Sequence, residues 1–203
     1  MSRTITRLFD DYADAKTAVA ELERIGVPHD DLSIVANNTH GDHAVGDPND
    51  EGDVGRGAST GAVVGGVGGL LAGLGLLAIP GLGPIVAAGW LAATAAGAAI
   101  GGVGGAATGG LVGALKHAGH SEEEAHVYSE GVRRGGTLVS ARVPDNLVGQ
   151  AEAALDGNRG VDASVRGADY RSAGWNAFDQ DAAPYTADEI ERDRTTYRRE
   201  PTI

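Results

Sequence analysis

Residues 57–115 have the sequence GASTGAVVGGVGGLLAGLGLLAIPGLGPIVAAGWLAATAAGAAIGGVGGAATGGLVGAL, which contains no charged side chain and no histidine. Within this stretch glycine recurs at every fourth position in two ladders. The first ladder comprises Gly57, Gly61, Gly65, Gly69 and Gly73, and the second comprises Gly97, Gly101, Gly105, Gly109 and Gly113. On a helix, this spacing places each glycine about one turn beyond the last and leaves a groove in which another backbone packs closely. The two ladders therefore predict a helix-packing interface.

A turn is predicted in the middle of the uncharged stretch, at residues 79–84, where two prolines and two glycines occur in Ile-Pro-Gly-Leu-Gly-Pro. The flanking segments, 57–79 and 85–115, are predicted to be helices, which gives a glycine-zipper helical hairpin over residues 57–116. Each glycine costs a helix about 1 kcal/mol relative to alanine, so lipid or close helix packing must stabilise the hairpin. Three interpretations remain open: a membrane-associated hairpin, a hairpin buried in a soluble homo-oligomer, and a mobile low-complexity linker.

A strand–helix–strand unit precedes this stretch, over residues 1–36. Residues 4–9 alternate and are rich in β-formers, which predicts a strand. Asp10 or Asp11 caps a helix that ends at Gly26, and residues 32–36 alternate again as a second strand. Residues 37–56 are polar, acidic and rich in turn formers, as is typical of a linker.

Residues 120–167 are predicted to contain an inserted helix followed by a second strand–helix–strand unit with the layout of the first. Ser121 and Glu124 have the spacing of a capping box and predict a helix of about a dozen residues. Residues 137–143 then alternate as a strand, Asp145 caps a second helix, and residues 161–165 alternate as a final strand.

The predicted fold class is therefore α+β. Two βαβ halves form a four-stranded ferredoxin-like sandwich with its helices on one face, interrupted by the long glycine-zipper helical hairpin. An alternative is that each half pairs with a half from another chain. Residues 168–203 are predicted to be a flexible C-terminal tail with a short helix that begins at the Thr186 to Glu189 cap.

The charge distribution bears on partners and location. The chain has 28 acidic and 16 basic side chains, a formal net charge of −12 and no cysteine. An acidic protein without a basic patch is not suited to nucleic acid, so no nucleic-acid partner is expected. The N-terminus has charges and threonines where a signal peptide has an apolar run. We therefore expect the protein at the cytoplasmic side of the inner membrane or, alternatively, in the cytoplasm.

Few residues suggest a chemical site. The pairs His117/His120 and His40/His43 have a spacing that suits two metal ligands, but both pairs lie at helix junctions or loops where solvated histidines are common. We therefore predict no metal site, no cofactor and no catalytic residue. Arg133 and Arg134 lie beside flexible glycines and are predicted as an anion contact.

Two segments resemble a known family. Residues 8–22, LFDDYADAKTAVAEL, followed by Gly-Val at 26–27 and LSIV at 32–35, are similar to the bacterial heat-induced stress protein YflT family, also called general stress protein 17M-like. Residues 122–139, EEEAHVYSEGVRRGGTLV, resemble the segment that follows a glycine zipper in the longer members. The resemblance implies a role in general stress tolerance and transfers no catalytic residue.

Two functions follow as hypotheses. The first is a non-enzymatic general-stress-response protein that self-assembles through the hairpin at a membrane, with further copies of itself and membrane lipid as partners. The alternative is a soluble homo-oligomeric regulatory or ligand-binding module with a ferredoxin-like domain.

Overall fold

The computed structural model describes residues 2–41, 75–100 and 110–197, which form five β-strands and seven α-helices. The strands are β1 (Ser2–Phe9), β2 (Leu32–Asn37), β3 (Gly75–Ile79), β4 (Gly83–Gly89) and β5 (Thr137–Pro144). The helices are α1 (Tyr12–Arg24), α2 (Trp90–Ile100), α3 (Gly110–His117), α4 (Glu122–Arg133), α5 (Val148–Gly157), α6 (Ala163–Ser172) and α7 (Ala187–Tyr197).

All five strands join one antiparallel sheet in the order β1–β5–β2–β4–β3. The central strand β2 pairs with β5 on one side and with β4 on the other, so that Ile34 lies opposite both Val139 and Ala88. Because β5 is antiparallel to both β1 and β2, those two strands point the same way and end at the same edge of the sheet. The α+β class predicted from the sequence is confirmed.

Helices cover both faces of the sheet and form two hydrophobic cores. On one face, α1 and α5 pack on the alternate apolar residues of β1, β2 and β5. On the other face, α2, α3, α4 and α6 cover the second set of side chains, which includes Leu8, Val35 and Leu138. This double cover explains why every residue of β2 is buried, although its sequence alternates.

Two predicted helices form as the sequence indicated. Ala15, Ala18, Val19 and Leu22 of α1 are buried at helical spacing. At the start of α4, the Ser121 hydroxyl accepts a hydrogen bond from the backbone N–H of Glu124 at 3.2 Å, and the Glu124 carboxylate accepts one from the backbone N–H of Ser121 at 2.8 Å. The capping box is thereby confirmed, and α4 has 12 residues.

The helical hairpin is wrong over residues 75–89. The turn at residues 79–84 lies where it was predicted, but it joins strands β3 and β4 in a β-hairpin. Pairing of β4 with β2 satisfies its backbone and buries Ile85 and Val86, whose branched side chains favour a strand. The predicted helix over 85–115 is also divided, because α3 begins at Gly110 with a φ of +74°, a left-handed conformation that a helix interior does not contain.

The predicted final strand is reduced to one bridge, in which Val161 pairs with Leu8 of β1. The chain then turns into α6, because the Asp162 side chain accepts a hydrogen bond from the backbone N–H of Ser164 at 2.7 Å and caps the helix. Besides the added strands β3 and β4, the predicted sandwich differs from the structure in two respects. Its fourth strand is absent from the described residues, and helices cover both of its faces.

The C-terminal region was predicted to be a flexible tail, and over residues 168–197 this is wrong. Helix α6 contributes the buried Tyr170, and Trp175, Phe178 and Tyr197 pack against the second core. Helix α7 begins at the predicted Thr186 cap and inserts a fully buried Ile190 beside Gly135. Aromatic side chains scattered among charges therefore anchor this region on the body of the protein.

Candidate functional site

The predicted anion contact lies at the C-terminal end of α4, where the two arginines bind carboxylates of the same chain. Glu130 is fully buried, and its carboxylate pairs with Arg134 at 2.7 Å and with Arg133 at 3.5 Å. Arg134 also pairs with Asp193 of α7 at 2.7 Å. These interactions place two anionic partners at the position where the sequence predicted an external anion.

Aromatic rings surround this ion-pair cluster. The Arg134 guanidinium lies 4.5 Å from the centre of the Tyr170 ring, and the Arg133 guanidinium lies 4.6 Å from that of Tyr185. Burial alone lowers the pKa of Arg134, but the ion pairs with Glu130 and Asp193 outweigh burial, so its pKa is raised. The Arg134 guanidinium therefore stays charged, and its ion pairs with Glu130 and Asp193 join α4 to α7.

A fully buried arginine, Arg166 of α6, was not predicted from the sequence. Its residue is 1% exposed, and one terminal nitrogen donates to both oxygens of Asp10, at 2.7 and 2.8 Å. Arg166 lies within α6, which sequence reasoning assigned to a strand and a tail. The signal available was Asp162, an N-cap residue directly before a stretch with good helix formers.

A polar cleft opens next to these arginines, where β1 and β2 end at the same edge of the sheet. Its volume is about 190 Å³, and it is lined by Asp11, Tyr12, Ala13, Asn37, Asn38, His40 and Arg194. Arg194 also lines a small cavity beside Arg134 and Arg166, so the cleft adjoins the ion-pair cluster. Of the cleft residues, the sequence singled out His40 as one of a histidine pair and Asp11 as a possible helix cap, because the cleft itself forms only through the sheet and α7.

A hydroxyl–imidazole–carboxylate chain lies elsewhere, between β1 and α4. The Thr6 hydroxyl is 2.7 Å from Nε2 of His120, and Nδ1 of His120 is 3.8 Å from the Glu124 carboxylate. The same hydroxyl is 2.9 Å from that of Ser140. This order of groups is that of a nucleophile, a base and an orienting acid. Thr6 is only 2% exposed, however, so its hydroxyl is not accessible from solvent, and these groups instead connect β1 to α4.

The pKa of His120 makes stability depend on pH. Burial lowers the pKa of His120, and the carboxylates of Glu124 and Asp162 oppose this only in part. The unfolded chain therefore binds the proton more readily, and the His120 contribution to stability is full above pH ~6.5 and is lost as the pH falls below that value. We expect the free energy of unfolding, measured with urea, to fall between about pH 7 and pH 5.

The control for this prediction is the variant His120→Gln, whose side chain does not titrate. Its stability should depend less steeply on pH than that of the wild type over the same range. A wild-type protein and a variant with parallel pH profiles would contradict the assignment to His120.

The predicted helix-packing residues lie mostly outside the described residues. This holds for the whole first ladder and for Gly101, Gly105 and Gly109 of the second. Gly97 lies in α2 and Gly113 in α3, and these two helices pack against each other. The role of the ladders as an interface stays a prediction.

Three of the four histidines that the sequence singled out, His40, His117 and His120, lie within the described residues. His117 is exposed at the end of α3, His120 is bonded to Thr6, and His43 lies outside the described residues. Within residues 2–41, 75–100 and 110–197, there is no group of three His, Asp or Glu side chains with a metal-binding arrangement. In the same ranges, every helix is too short or too polar to cross a lipid bilayer.

The fold is thus that of an α+β protein with a polar cleft at the end of its first βαβ unit. The model of the heat-induced stress protein YflT domain matches residues 4–80, which contain β1, α1, β2 and β3. The resemblance of the first segment, residues 8–35, to this family is thereby confirmed, and it indicates a role in the general stress response. Residues 122–139 lie outside the match, so the resemblance of that segment stays a prediction. Curated proteins and solved structures gave no match.

Proposed function

We propose that this protein is a non-enzymatic component of the general stress response that associates with further copies of itself. The proposal rests on the position of strand β3 at an edge of the sheet. This strand lies at the end of the sheet, and among the described residues no strand pairs with its outer edge. An unpaired edge presents a row of backbone donors and acceptors to a second chain.

The side chains of β3 support the same role. Leu76 is 58% exposed, the highest value for any large apolar side chain within the described parts of the chain. Strand β3 also follows directly on the first glycine ladder, which ends at Gly73. The edge strand and the ladder therefore form one continuous, uncharged segment for contact between copies.

The sequence also predicted association with the cytoplasmic side of a membrane, and this stays a prediction. It depends on residues 57–74, which lie outside the described residues. The described part of the uncharged stretch packs inside the protein itself. Its large apolar side chains are buried in the second core: Ile79, Leu82, Leu91, Leu111 and Leu115.

The test is a lysine on the exposed edge. We expect Leu76→Lys to reduce the mean molar mass of the full-length protein in light scattering, because a charge on an edge strand opposes strand pairing between copies. The effect should be a shift by about one association step or more at micromolar concentration. Circular dichroism should remain that of the wild type, since the side chain is exposed.

Val165→Lys is the matched control. Val165 is the other exposed large apolar residue within the described parts, at 40%, but it lies on helix α6 and not on β3. Its molar mass should equal that of the wild type. Equal masses for all three proteins would refute the role of β3.

A further inference from the structure

The cleft at the end of β1 and β2 has the size of a small-molecule site. Its volume of about 190 Å³ exceeds the ~150 Å³ of an engineered cavity that holds benzene. The space suits a ligand of roughly six to eight non-hydrogen atoms by that comparison. Its lining is polar, unlike that of a packing defect in the core, where apolar side chains surround the void.

A buried donor without a partner lines this cleft. Asn37 is 5% exposed, and its side-chain oxygen accepts a hydrogen bond from the backbone N–H of Thr39 at 2.8 Å. That bond fixes the amide and leaves its nitrogen, which is buried, without an acceptor among the described residues. An unpaired buried donor costs about 1–3 kcal/mol, so an acceptor atom from a ligand would be favoured there.

Arg194 supplies a second donor and the positive charge. One terminal nitrogen donates to the backbone oxygen of Gly135 at 3.1 Å, which holds the side chain in place. Its Nε is buried and has no hydrogen-bond partner within the described ranges. A guanidinium held in this way is suited to a carboxylate or a phosphate.

The N-terminus of α1 forms another wall of the cleft, through Tyr12 and Ala13. The positive end of this 13-residue helix favours an anion. Asp11 is the N-cap residue, but its side chain makes no capping hydrogen bond. Its negative charge also interacts with the Arg159 guanidinium, which offsets part of that charge.

We propose that this cleft binds a small organic or inorganic anion with a carboxylate or phosphate group. The anion accepts hydrogen bonds from the Asn37 amide and the Arg194 guanidinium at the start of α1. The site is separate from the self-association segment, so either proposal can fail without the other.

The experiment is an isothermal calorimetric titration of the full-length protein with inorganic phosphate and, separately, with malonate. Sodium chloride at matched ionic strength provides the baseline. We expect at least one of the two anions to bind at one site per chain with a Kd of about 1 mM or tighter. Binding of phosphate alone, of malonate alone or of both supports the site and identifies its ligand class.

Two variants place the binding in the cleft. Asn37→Asp keeps the acceptor for Thr39 but replaces the donor by a second oxygen, and Arg194→Gln removes the charge at a partly exposed position. Each should weaken binding about tenfold or more, as expected for loss of a hydrogen bond to a charged group. Arg192→Gln is the control, because Arg192 is exposed on the same helix and does not line the cleft.

The proposal would be overturned if neither phosphate nor malonate bound at concentrations up to about 20 mM, far above the expected Kd. Equal weakening by Arg192→Gln and Arg194→Gln would also overturn it, because it would indicate a general charge effect of α7.

Discussion

Replacement of Gly89 by alanine is expected to lower the free energy of unfolding by about 3 kcal/mol or more. Gly89 joins β4 to α2 with a φ of +86°, which side chains rarely adopt. A Cβ atom there would overlap the backbone oxygen of Leu32 and come within 2.8 Å of the Cα atom of Ser33. Both atoms belong to β2, which is buried and paired on both sides, so it cannot move aside.

Urea denaturation followed by circular dichroism measures this loss, and Gly149→Ala is the control. Gly149 is an exposed residue of α5, and a Cβ there meets nothing within 4 Å. Alanine should therefore stabilise that helix by up to about 1 kcal/mol. Equal urea midpoints for Gly89→Ala and the wild type would show that β4 does not pack on β2 as described.

Glu130→Ala is expected to destabilise the protein by about 3–5 kcal/mol and to loosen α7. The reason is that Glu130 is the fully buried partner of both Arg133 and Arg134. Its removal leaves two largely buried guanidiniums with only Asp193 as a carboxylate partner in this cluster. Amide hydrogen exchange should therefore accelerate in residues 187–197, together with the shift in the urea midpoint.

The matched control is Glu123→Ala on the same helix. Glu123 also pairs with an arginine, Arg171, but both side chains are exposed and such pairs contribute little. This variant should behave like the wild type in both measurements. If Glu130→Ala left the exchange of α7 unchanged, the ion pairs would not be what holds that helix.

The βαβ unit at the N-terminus was predictable because its patterns are local. Strand alternation, the helical spacing of Ala15, Ala18, Val19 and Leu22, and the glycine stop at Gly26 are all visible within 36 residues. The capping boxes at Ser121 and Thr186 are also local, and both begin the helices that they predicted. Such signals depend only on residues that are close together in the sequence.

The β3–β4 hairpin was missed because its sequence is ambiguous. The uncharged run of glycine, alanine, leucine and valine has no period that separates a buried strand from a buried helix. The deciding interaction is the pairing of β4 with β2, about 50 residues earlier in the chain. Asp162 shows the opposite case, since a clear N-cap was outweighed by the alternation of Val161, Ala163 and Val165.

The cleft and the ion-pair cluster could not be predicted from the sequence, because elements that are distant in the chain form them. Asn37, Arg194 and the start of α1 meet only because β1 and β2 end at the same edge and α7 returns to it. Arg133 and Arg134 were recognised as anion contacts, but the sequence does not indicate that Glu130 and Asp193 provide the negative charges.

Association of the protein with further copies of itself is measured by the molar mass of the purified full-length chain. One chain has a mass of 20.5 kDa. Light scattering after gel filtration without detergent should give a multiple of that value at micromolar concentration. A mass of 20.5 kDa that stays constant up to about 100 µM would contradict self-association of the protein.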